Sequence, residues 1–208
     1  MSQSKSSKRW LTEHFNDPYV KQAQRDGYRS RAAYKLIELQ QKYRLIQPGM
    51  RIVDLGAAPG GWSQLASQWV QPTGTVVAVD LLPIEPLPNV VMVQGDFREQ
   101  AVLQCVLEKV GDQRVDVVLS DMAPNLSGNH SIDIPRSMYL AELALDMVGQ
   151  ILKPRGSLVM KLFHGVGFED LLRQVRLCFT TVQVRKPKAS RARSKEVYLV
   201  AKGYTSNE

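Results

Sequence analysis

Short apolar runs separated by helix-like segments constrain the fold of this chain more than any other feature. The runs are long enough for buried strands and cover residues 51–55, 75–80, 90–94, 115–120, 157–163, 181–185 and 197–201. Helical patterns lie between them, at residues 61–70, 99–109, 135–152 and 168–178. Because continuous apolar strands alternate with helices, we predict an α/β fold with a parallel sheet covered on both faces.

A glycine-rich turn follows the first of these strands. Residues 52–62 read Ile-Val-Asp-Leu-Gly-Ala-Ala-Pro-Gly-Gly-Trp, which places glycines at Gly56, Gly60 and Gly61. A strand, a glycine turn and a helix in this order let the backbone approach a nucleotide-like ligand closely. We therefore predict a cofactor site, where a side chain at any of these glycines would obstruct the ligand.

The spacing within this turn discriminates between cofactors. A dinucleotide-binding loop has a glycine where this chain has Ala58, and Pro59 removes a backbone donor. Asp54 would repel a pyrophosphate but would stabilise a ligand that carries ammonium and sulfonium charge. The loop therefore favours S-adenosyl-L-methionine over a nicotinamide dinucleotide.

Four acidic residues stand at or just after predicted strands. Ligands of such sheets bind beyond the carboxyl ends of the strands, so we expect these side chains to converge there: Asp54, Asp80, Asp96 and Asp121. Asp80 is suited to the ribose hydroxyls and Asp96 to the exocyclic amine of adenine. Each could instead cap a helix, and for Asp96 this alternative stays open.

Two lysines lie within otherwise apolar patterns. Lys161 stands in the middle of the run 158–163, where an ammonium group is unfavourable unless it is paired. Lys35 lies in the helical pattern at residues 32–37. A desolvated lysine is a recurrent catalytic group; the alternatives are that Lys161 lies at an edge of the sheet or that its side chain extends to solvent.

Length and composition indicate one domain. A chain of 208 residues can bury a single core. No apolar stretch has the length of a membrane span and the N-terminus is polar, so we expect a cytoplasmic protein. Cys105 and Cys178 stand alone and the histidines are scattered, so no metal site is predicted.

The net charge of +7 is concentrated at the two ends of the chain. Residues 1–51 hold 11 Lys/Arg against 4 Asp/Glu, and residues 185–208 hold 7 against 2. Residues 52–184, by contrast, hold 9 against 14. If the two ends meet on one face, they form a cationic surface for nucleic acid; solvated charge runs are the alternative.

Four segments together resemble one known family. Residues 29–36 (RSRAAYKL), 54–62 (DLGAAPGGW), 121–125 (DMAPN) and 194–196 (SKE) are similar to the FtsJ-type ribosomal RNA ribose 2′-O-methyltransferases. The resemblance implies a Rossmann-like class I S-adenosylmethionine-dependent methyltransferase with a seven-stranded, mostly parallel sheet. It further implies that the substrate is a uridine of 23S rRNA, expected within the 50S subunit or an assembled ribosomal particle, with free rRNA as the open alternative.

The resemblance also implies roles for individual residues. The implied catalytic residues are Lys35, Asp121, Lys161 and Glu196. The implied cofactor residues are Gly60, Trp62, Asp80, Asp96 and Asp121, to which the glycine turn adds Asp54, Gly56 and Gly61. The basic ends offer RNA contacts at Arg29, Arg31, Lys186, Lys188, Arg191 and Arg193. We expect residues 1–25 to be a basic, partly flexible segment and residues 26–208 to form the methyltransferase domain of a monomer.

Two questions stay open at this point. Lys161 could act as a neutral general base or as a charged group that orients the hydroxyl, because nearby carboxylates favour its ammonium form. The substrate could also be another RNA such as tRNA, or the chain could be a non-catalytic RNA-binding module. A nicotinamide-dependent oxidoreductase would account for the sheet but not for Asp54, Ala58 or Pro59.

Overall fold

The computed structural model describes residues 16–125 and 127–205 of the chain. Its strands are β1 Arg51–Leu55, β2 Thr75–Asp80, β3 Val90–Gln94, β4 Val115–Ser120, β5 Leu152–Phe163, β6 Phe179–Arg185 and β7 Glu196–Tyr204. These strands form one sheet in the order β3-β2-β1-β4-β5-β7-β6. β1 to β5 pair in parallel, whereas β7 lies antiparallel between β5 and β6. The predicted seven-stranded, mostly parallel sheet is confirmed.

Helices cover both faces of this sheet. They are α1 Pro18–Asp26, α2 Ala33–Tyr43, α3 Gly61–Trp69, α4 Gln100–Val110, α5 His130–Ile151 and α6 Phe168–Cys178. Leu36 of α2 and Leu65 of α3 belong to the core on one face. Val106 of α4, Met147 of α5 and Leu172 of α6 belong to the core on the other. None of the helices in the described residues is long and apolar enough to cross a membrane.

Strand alternation decides which polar side chains share a face. Side chains two residues apart in a strand point to the same side of the sheet. Ile52, Leu119 and Val159 pack on the side of α2 and α3. Polar residues two positions further along lie on that same side, at the carboxyl ends of the parallel strands: Asp54, Asp121 and Lys161. The fold therefore gathers these groups at one rim.

The fifth strand begins earlier than predicted. β5 starts at Leu152 instead of residue 157, and its pairing with β4 shifts between Val115 and Val117. After the buried Leu152 come three exposed residues, Lys153, Pro154 and Arg155, and Arg155 adopts a positive φ of 64°. A strand section with exposed polar side chains leaves no apolar run, so the sequence pattern could not reveal it.

The segment predicted to be basic and partly flexible, residues 1–25, contains a helix in its described part. α1 spans Pro18–Asp26, and the Asp17 side chain caps it by accepting from the Tyr19 amide at 3.0 Å. Val20 and Ala23 of this helix are buried. Residues 1–15 of the predicted segment lie outside the described residues. The division of the chain at residue 25 stays a prediction, although residues 18–25 are helical.

The long helix α5 also begins earlier than predicted. The sequence places Pro135 in the first turn, where a missing N–H is harmless. In the structure α5 begins at His130, and Asn129 caps it by accepting from the Ser131 amide at 3.1 Å. Pro135 is therefore the sixth helical residue, where it removes an intrahelical hydrogen bond. The expected start was wrong because an asparagine cap outweighs the proline signal.

Replacing Pro135 by alanine distinguishes these two positions. If α5 begins at His130, Pro135→Ala restores a hydrogen bond in an exposed helix interior and should raise the free energy of unfolding by about 1–3 kcal/mol. Urea denaturation measures the change, with the exposed Glu142→Ala of the same helix as a near-neutral control. An unchanged or lower stability in Pro135→Ala would place the proline in the first turn.

Candidate active site

A buried ion pair lies at the carboxyl ends of β4 and β5. The Lys161 ammonium group on β5 contacts the Asp121 carboxylate at 2.9 Å and donates to the Asp121 carbonyl at 2.7 Å. The two side chains are only 9% and 17% exposed. β5 has neighbours on both sides, so the alternative of an edge-strand lysine that reaches solvent is wrong. The pair is formed because β4 and β5 are adjacent and both residues point toward α2.

A second ion pair stands beside the first. Lys35 of α2 lies 2.8 Å from a carboxylate oxygen of Glu196, the first residue of β7. The Tyr198 hydroxyl donates to the Asp121 carboxylate at 2.7 Å and accepts from the Lys35 ammonium at 3.0 Å. The four residues predicted to be catalytic are thus brought together, with Tyr198 as a fifth member that links them. We call this continuous chain of polar contacts the ion-pair network: Glu196, Lys35, Tyr198, Asp121 and Lys161.

Tyr198 is the member of the network that sequence reasoning missed. It is fully buried, and it lies directly opposite Lys161 in the β5–β7 register. Burial, followed by the negative charges of Asp121 and Glu196, raises the pKa of Tyr198 well above its usual value, so the hydroxyl keeps its proton. An aromatic residue in an apolar strand ordinarily reads as core, although its position two residues after Glu196 places both side chains on one face.

The charges within the network compensate one another. Burial alone would raise the pKa of Asp121, but the ammonium groups of Lys161 and Lys35 and hydrogen bonds from Tyr198 and Lys161 lower it below its usual value. Asp121 is therefore ionised at neutral pH. Two carboxylates face two ammonium groups, so the charges within the ion-pair network balance one another.

The glycine turn lies next to this network. The Asp121 amide donates to the Leu55 carbonyl at 3.2 Å, which ties the end of β4 to the end of β1 just before the turn. A Cβ at Gly56 would come within 2.7 Å of the Met122 side chain, and one at Gly61 within 2.3 Å of the Ser30 hydroxyl. Protein atoms therefore already require glycine at these positions. Packing within the protein is thus a second reason for glycine here, beside the predicted approach of a ligand.

Asp54 is fully buried behind this turn. One carboxylate oxygen accepts from the Ser63 hydroxyl at 2.6 Å, and the other, Oδ1, finds no partner among the described residues. Burial, together with the charges of Asp121 and Asp80, raises the pKa of Asp54 to about 7 despite the hydrogen bond from Ser63. A buried oxygen without a donor fits a site built for a ligand that brings positive charge.

The two remaining acidic residues have partners in the structure. Asp80 accepts from the Ala58 amide of the glycine turn and from the Leu82 amide, each at 2.9 Å. The Asp96 carboxylate is paired with Arg98, whose side chain lowers the pKa of Asp96. Asp96 does not cap the helix that follows, because α4 begins after Glu99. The capping alternative is therefore wrong for Asp96.

The Trp62 side chain belongs to the core beneath the network. It is 2% exposed, and its indole N–H donates to the Ala32 carbonyl at 2.8 Å. Its ring packs against the Tyr198 ring, with the centroids 5.7 Å apart. Its side chain therefore acts by holding the start of α2 and Tyr198 in place.

The described parts of the two basic ends of the chain contact one another, through Asp17 and Arg31 on one side and the segment 186–195 on the other. Arg31 donates to the Ala189 carbonyl and pairs with Asp17 at 3.0 Å, and Arg191 lies 3.5 Å from the same carboxylate. Lys186 donates to two carbonyls within the segment 186–195, while Lys188 and Arg193 are exposed. The predicted RNA-binding residues of the C-terminal segment thus form a braced loop that leads directly into Glu196.

Arg29 is placed differently from the other basic residues. Its guanidinium group donates to the Glu85 carbonyl at 2.6 Å, to the Pro86 carbonyl at 2.9 Å and to the Pro59 carbonyl at 3.4 Å. It therefore faces the glycine turn rather than the loop at 186–195.

The raised pKa of Asp54 makes a prediction about stability. Because the folded protein holds this proton more tightly than the unfolded chain, the free energy of unfolding should fall as the pH rises from about 4 to about 7. Asp54→Asn removes this contribution. Between pH 4 and pH 7 its free energy of unfolding should therefore fall by about 2–4 kcal/mol less than that of the parent protein. Urea denaturation at several pH values measures the difference, with the exposed Asp146→Asn as control. Identical pH dependence in Asp54→Asn and the parent protein would contradict it.

Comparisons with known proteins agree with this geometry. The family model described as FtsJ-like methyltransferase matches residues 28–204. The chain is 58% identical to ribosomal RNA large subunit methyltransferase E of Legionella pneumophila strain Corby over 204 residues, covering 98% of this chain and 99% of the relative. It is 55% identical to the protein of that name from Pseudomonas aeruginosa PAO1, with the same coverage.

A solved structure extends the comparison to the fold. A Plasmodium falciparum protein described as a ribosomal RNA methyltransferase superposes with a TM-score of 0.75 at 30% identity. The match covers 86% of this chain and 100% of that one. With the family model spanning the sheet, the glycine turn and the whole ion-pair network, the chain belongs to the FtsJ-like methyltransferase family, as its four motifs predict.

Proposed function

We propose that this protein transfers the methyl group of S-adenosyl-L-methionine to the ribose 2′-hydroxyl of a uridine in 23S rRNA. The observation that carries the proposal is the buried Lys161–Asp121 pair, linked to Lys35 and Glu196 and adjacent to the glycine turn. The relatives named as large-subunit ribosomal RNA methyltransferases support the substrate class. The protein acts in the cytoplasm, as a monomer, on the 50S subunit or an assembled particle.

The acidic rim is suited to the proposed cofactor. Asp80 uses each carboxylate oxygen once, and a carboxylate has about four acceptor sites, so it can also accept both ribose hydroxyls. Asp96 is available to the adenine amine if Arg98 shares or releases it. Asp54 and Asp121 offer negative charge to the ammonium and sulfonium groups. Gly56, Gly60, Gly61 and Trp62 contribute backbone and packing to the same site.

Lys161 is the group we assign to the 2′-oxygen. An ammonium group has three N–H donors, and two of them are directed at the Asp121 carboxylate and carbonyl. The third can donate to the ribose oxygen and orient it. S-adenosylmethionine supplies a methyl group that is already strongly electrophilic, so alignment of the hydroxyl contributes most of the rate increase.

The same contacts favour one of the two roles left open for Lys161. The Lys161 nitrogen lies 2.9 Å from the ionised carboxylate of Asp121, an ion-pair distance that suits a charged orienting group better than a neutral base. Lys161 then acts as a charged group that orients the hydroxyl and stabilises the oxygen as its negative charge develops. The hydroxyl proton passes to water late in the reaction, after the oxygen has begun to bond to the methyl carbon. Lys35 and Glu196 act through Tyr198 and Asp121 by keeping this geometry.

RNA docking is assigned to the basic loop at residues 186–195. Lys188 and Arg193 are exposed and positively charged, as phosphate contacts require. Lys186 is exposed as well and donates to two carbonyls of the same loop, while Arg31 and Arg191 pair with Asp17. Because phosphate contacts carry little sequence information, selection of one uridine requires a splayed nucleotide in a folded RNA.

Methyl transfer to purified ribosomal particles tests the proposed function. Large subunits from cells that lack this protein are incubated with the protein and S-adenosylmethionine labelled in the methyl group. The proposal predicts label at one 23S uridine and resistance of the adjacent phosphodiester to alkali. Label in tRNA alone would contradict the ribosomal substrate. Absence of label from every RNA tested would contradict the proposed methyltransferase activity.

Lys161→Ala provides the test of the assigned mechanism. Removal of the orienting ammonium group should slow methyl transfer about 10²–10⁴-fold, while S-adenosylhomocysteine still binds. Single-turnover rates and calorimetric binding measure the two effects separately. Lys153→Ala, which removes an exposed ammonium from the far end of the same strand, should leave the rate unchanged. A Lys161→Ala rate equal to that of the parent would remove Lys161 from the mechanism.

A further inference from the structure

Arg29 lies between two loops that flank the proposed cofactor site. It stands in the short connection between α1 and α2. One loop is the glycine turn, contacted at Pro59, and the other is residues 81–86, contacted at Glu85 and Pro86. The second loop begins directly after Asp80, the residue assigned to the ribose. A single side chain therefore joins both walls of the crevice.

The backbone of Arg29 is fixed to the same region. Its amide donates to the Gln64 side chain at 3.0 Å, and the Gln64 amide group donates to the Gly27 carbonyl at 2.9 Å. Gln64 belongs to the first turn of α3, the helix that follows the glycine turn. The connection between α1 and α2 is thereby attached to α3, so the guanidinium group projects from a fixed base.

Gly60 shows how closely Arg29 packs against the turn. A Cβ at Gly60 would lie 2.9 Å from a terminal guanidinium nitrogen of Arg29 and 3.2 Å from the Ile84 side chain. Gly60 also has a φ of 104°, which side chains rarely adopt. Arg29 and Ile84 thus occupy the space that a side chain at Gly60 would take. The glycine turn and loop 81–86 pack closely together at this point.

Burial of apolar side chains contributes little to fixing the conformation of loop 81–86. Among its six residues only Ile84 is partly buried, and Leu81 and Leu82 are 59% and 64% exposed. Hydrogen bonds must therefore provide most of its order. Two carbonyl oxygens of this loop accept from Arg29, whose planar group presents several donors in one rigid plane.

We propose that Arg29 is a positioning residue for the S-adenosylmethionine site and not a phosphate contact of the RNA. This inference rests on the proposed function. The guanidinium group of Arg29 has five N–H donors and already makes three hydrogen bonds to carbonyl oxygens of these two loops, so most of its donors serve the loops and not a phosphate. The expectation that groups Arg29 with the RNA-binding residues is replaced by this one. Arg29 keeps the glycine turn and loop 81–86 at the spacing that the cofactor requires.

The effect of losing Arg29 follows from this role. Without its side chain the two loops sample more arrangements, and only a fraction of them can bind the cofactor. The apparent dissociation constant rises in inverse proportion to that fraction. We expect Arg29→Ala to weaken S-adenosylhomocysteine binding about tenfold or more, as loss of one or two hydrogen bonds would.

Calorimetric binding and steady-state kinetics test the inference together. S-adenosylhomocysteine is titrated into the full-length protein, Arg29→Ala, Arg29→Lys and the control Lys42→Ala, which removes an equal charge from the exposed side of α2. We expect the dissociation constant for S-adenosylhomocysteine to be raised in Arg29→Ala, intermediate in Arg29→Lys and unchanged in Lys42→Ala. The KM for ribosomal particles and its salt dependence should stay the same in Arg29→Ala at saturating cofactor.

The opposite division of effects would overturn the inference. Unchanged cofactor binding in Arg29→Ala, with a raised RNA KM and a weaker salt dependence, would identify Arg29 as a phosphate contact. If Arg29→Ala does not fold, parent-like cofactor binding in Arg29→Lys would overturn it equally. Failure of the parent protein to bind S-adenosylhomocysteine would instead overturn the proposed cofactor, and this inference with it.

Discussion

The buried contact between Lys161 and Asp121 is the interaction on which the rest of the site depends. An ammonium group in the interior of a sheet is unstable without a partner, and Asp121 stays ionised in its buried position because lysines surround it. The contact requires β4 and β5 to be adjacent and parallel, with both residues on the side of α2. Fold and chemistry are therefore linked through one pair of side chains.

The same side of the sheet collects everything else the reaction requires. The segment between α1 and α2 contributes Arg29 to the glycine turn, and α2 contributes Lys35 to the ion-pair network. Tyr198 connects Lys35 to Asp121, and Trp62 packs beneath its ring. A displacement of α2 would consequently disturb both the cofactor crevice and the catalytic lysine.

Local patterns predicted the parts of this structure that depend on local order. Apolar runs located the strand interiors, and a lysine within such a run identified Lys161. Features formed by distant segments could not be predicted in this way. Tyr198 reads as a core aromatic until β7 pairs with β5, and Arg29 reads as a surface cation until loop 81–86 folds over it. The early start of α5 depends on the Asn129 cap, whereas the predicted start relied on Pro135 as a first-turn residue.

The coupling between Glu196 and Lys161 tests the central claim most directly. Single-turnover methyl transfer is measured for the parent, Lys161→Met, Glu196→Gln and the double variant, with cofactor and RNA saturating. If Glu196 acts only through the ion-pair network, Glu196→Gln slows the parent about tenfold but slows Lys161→Met less than about twofold. If Glu196→Gln slows both proteins by the same factor, the two residues act independently, and the network does not position Lys161.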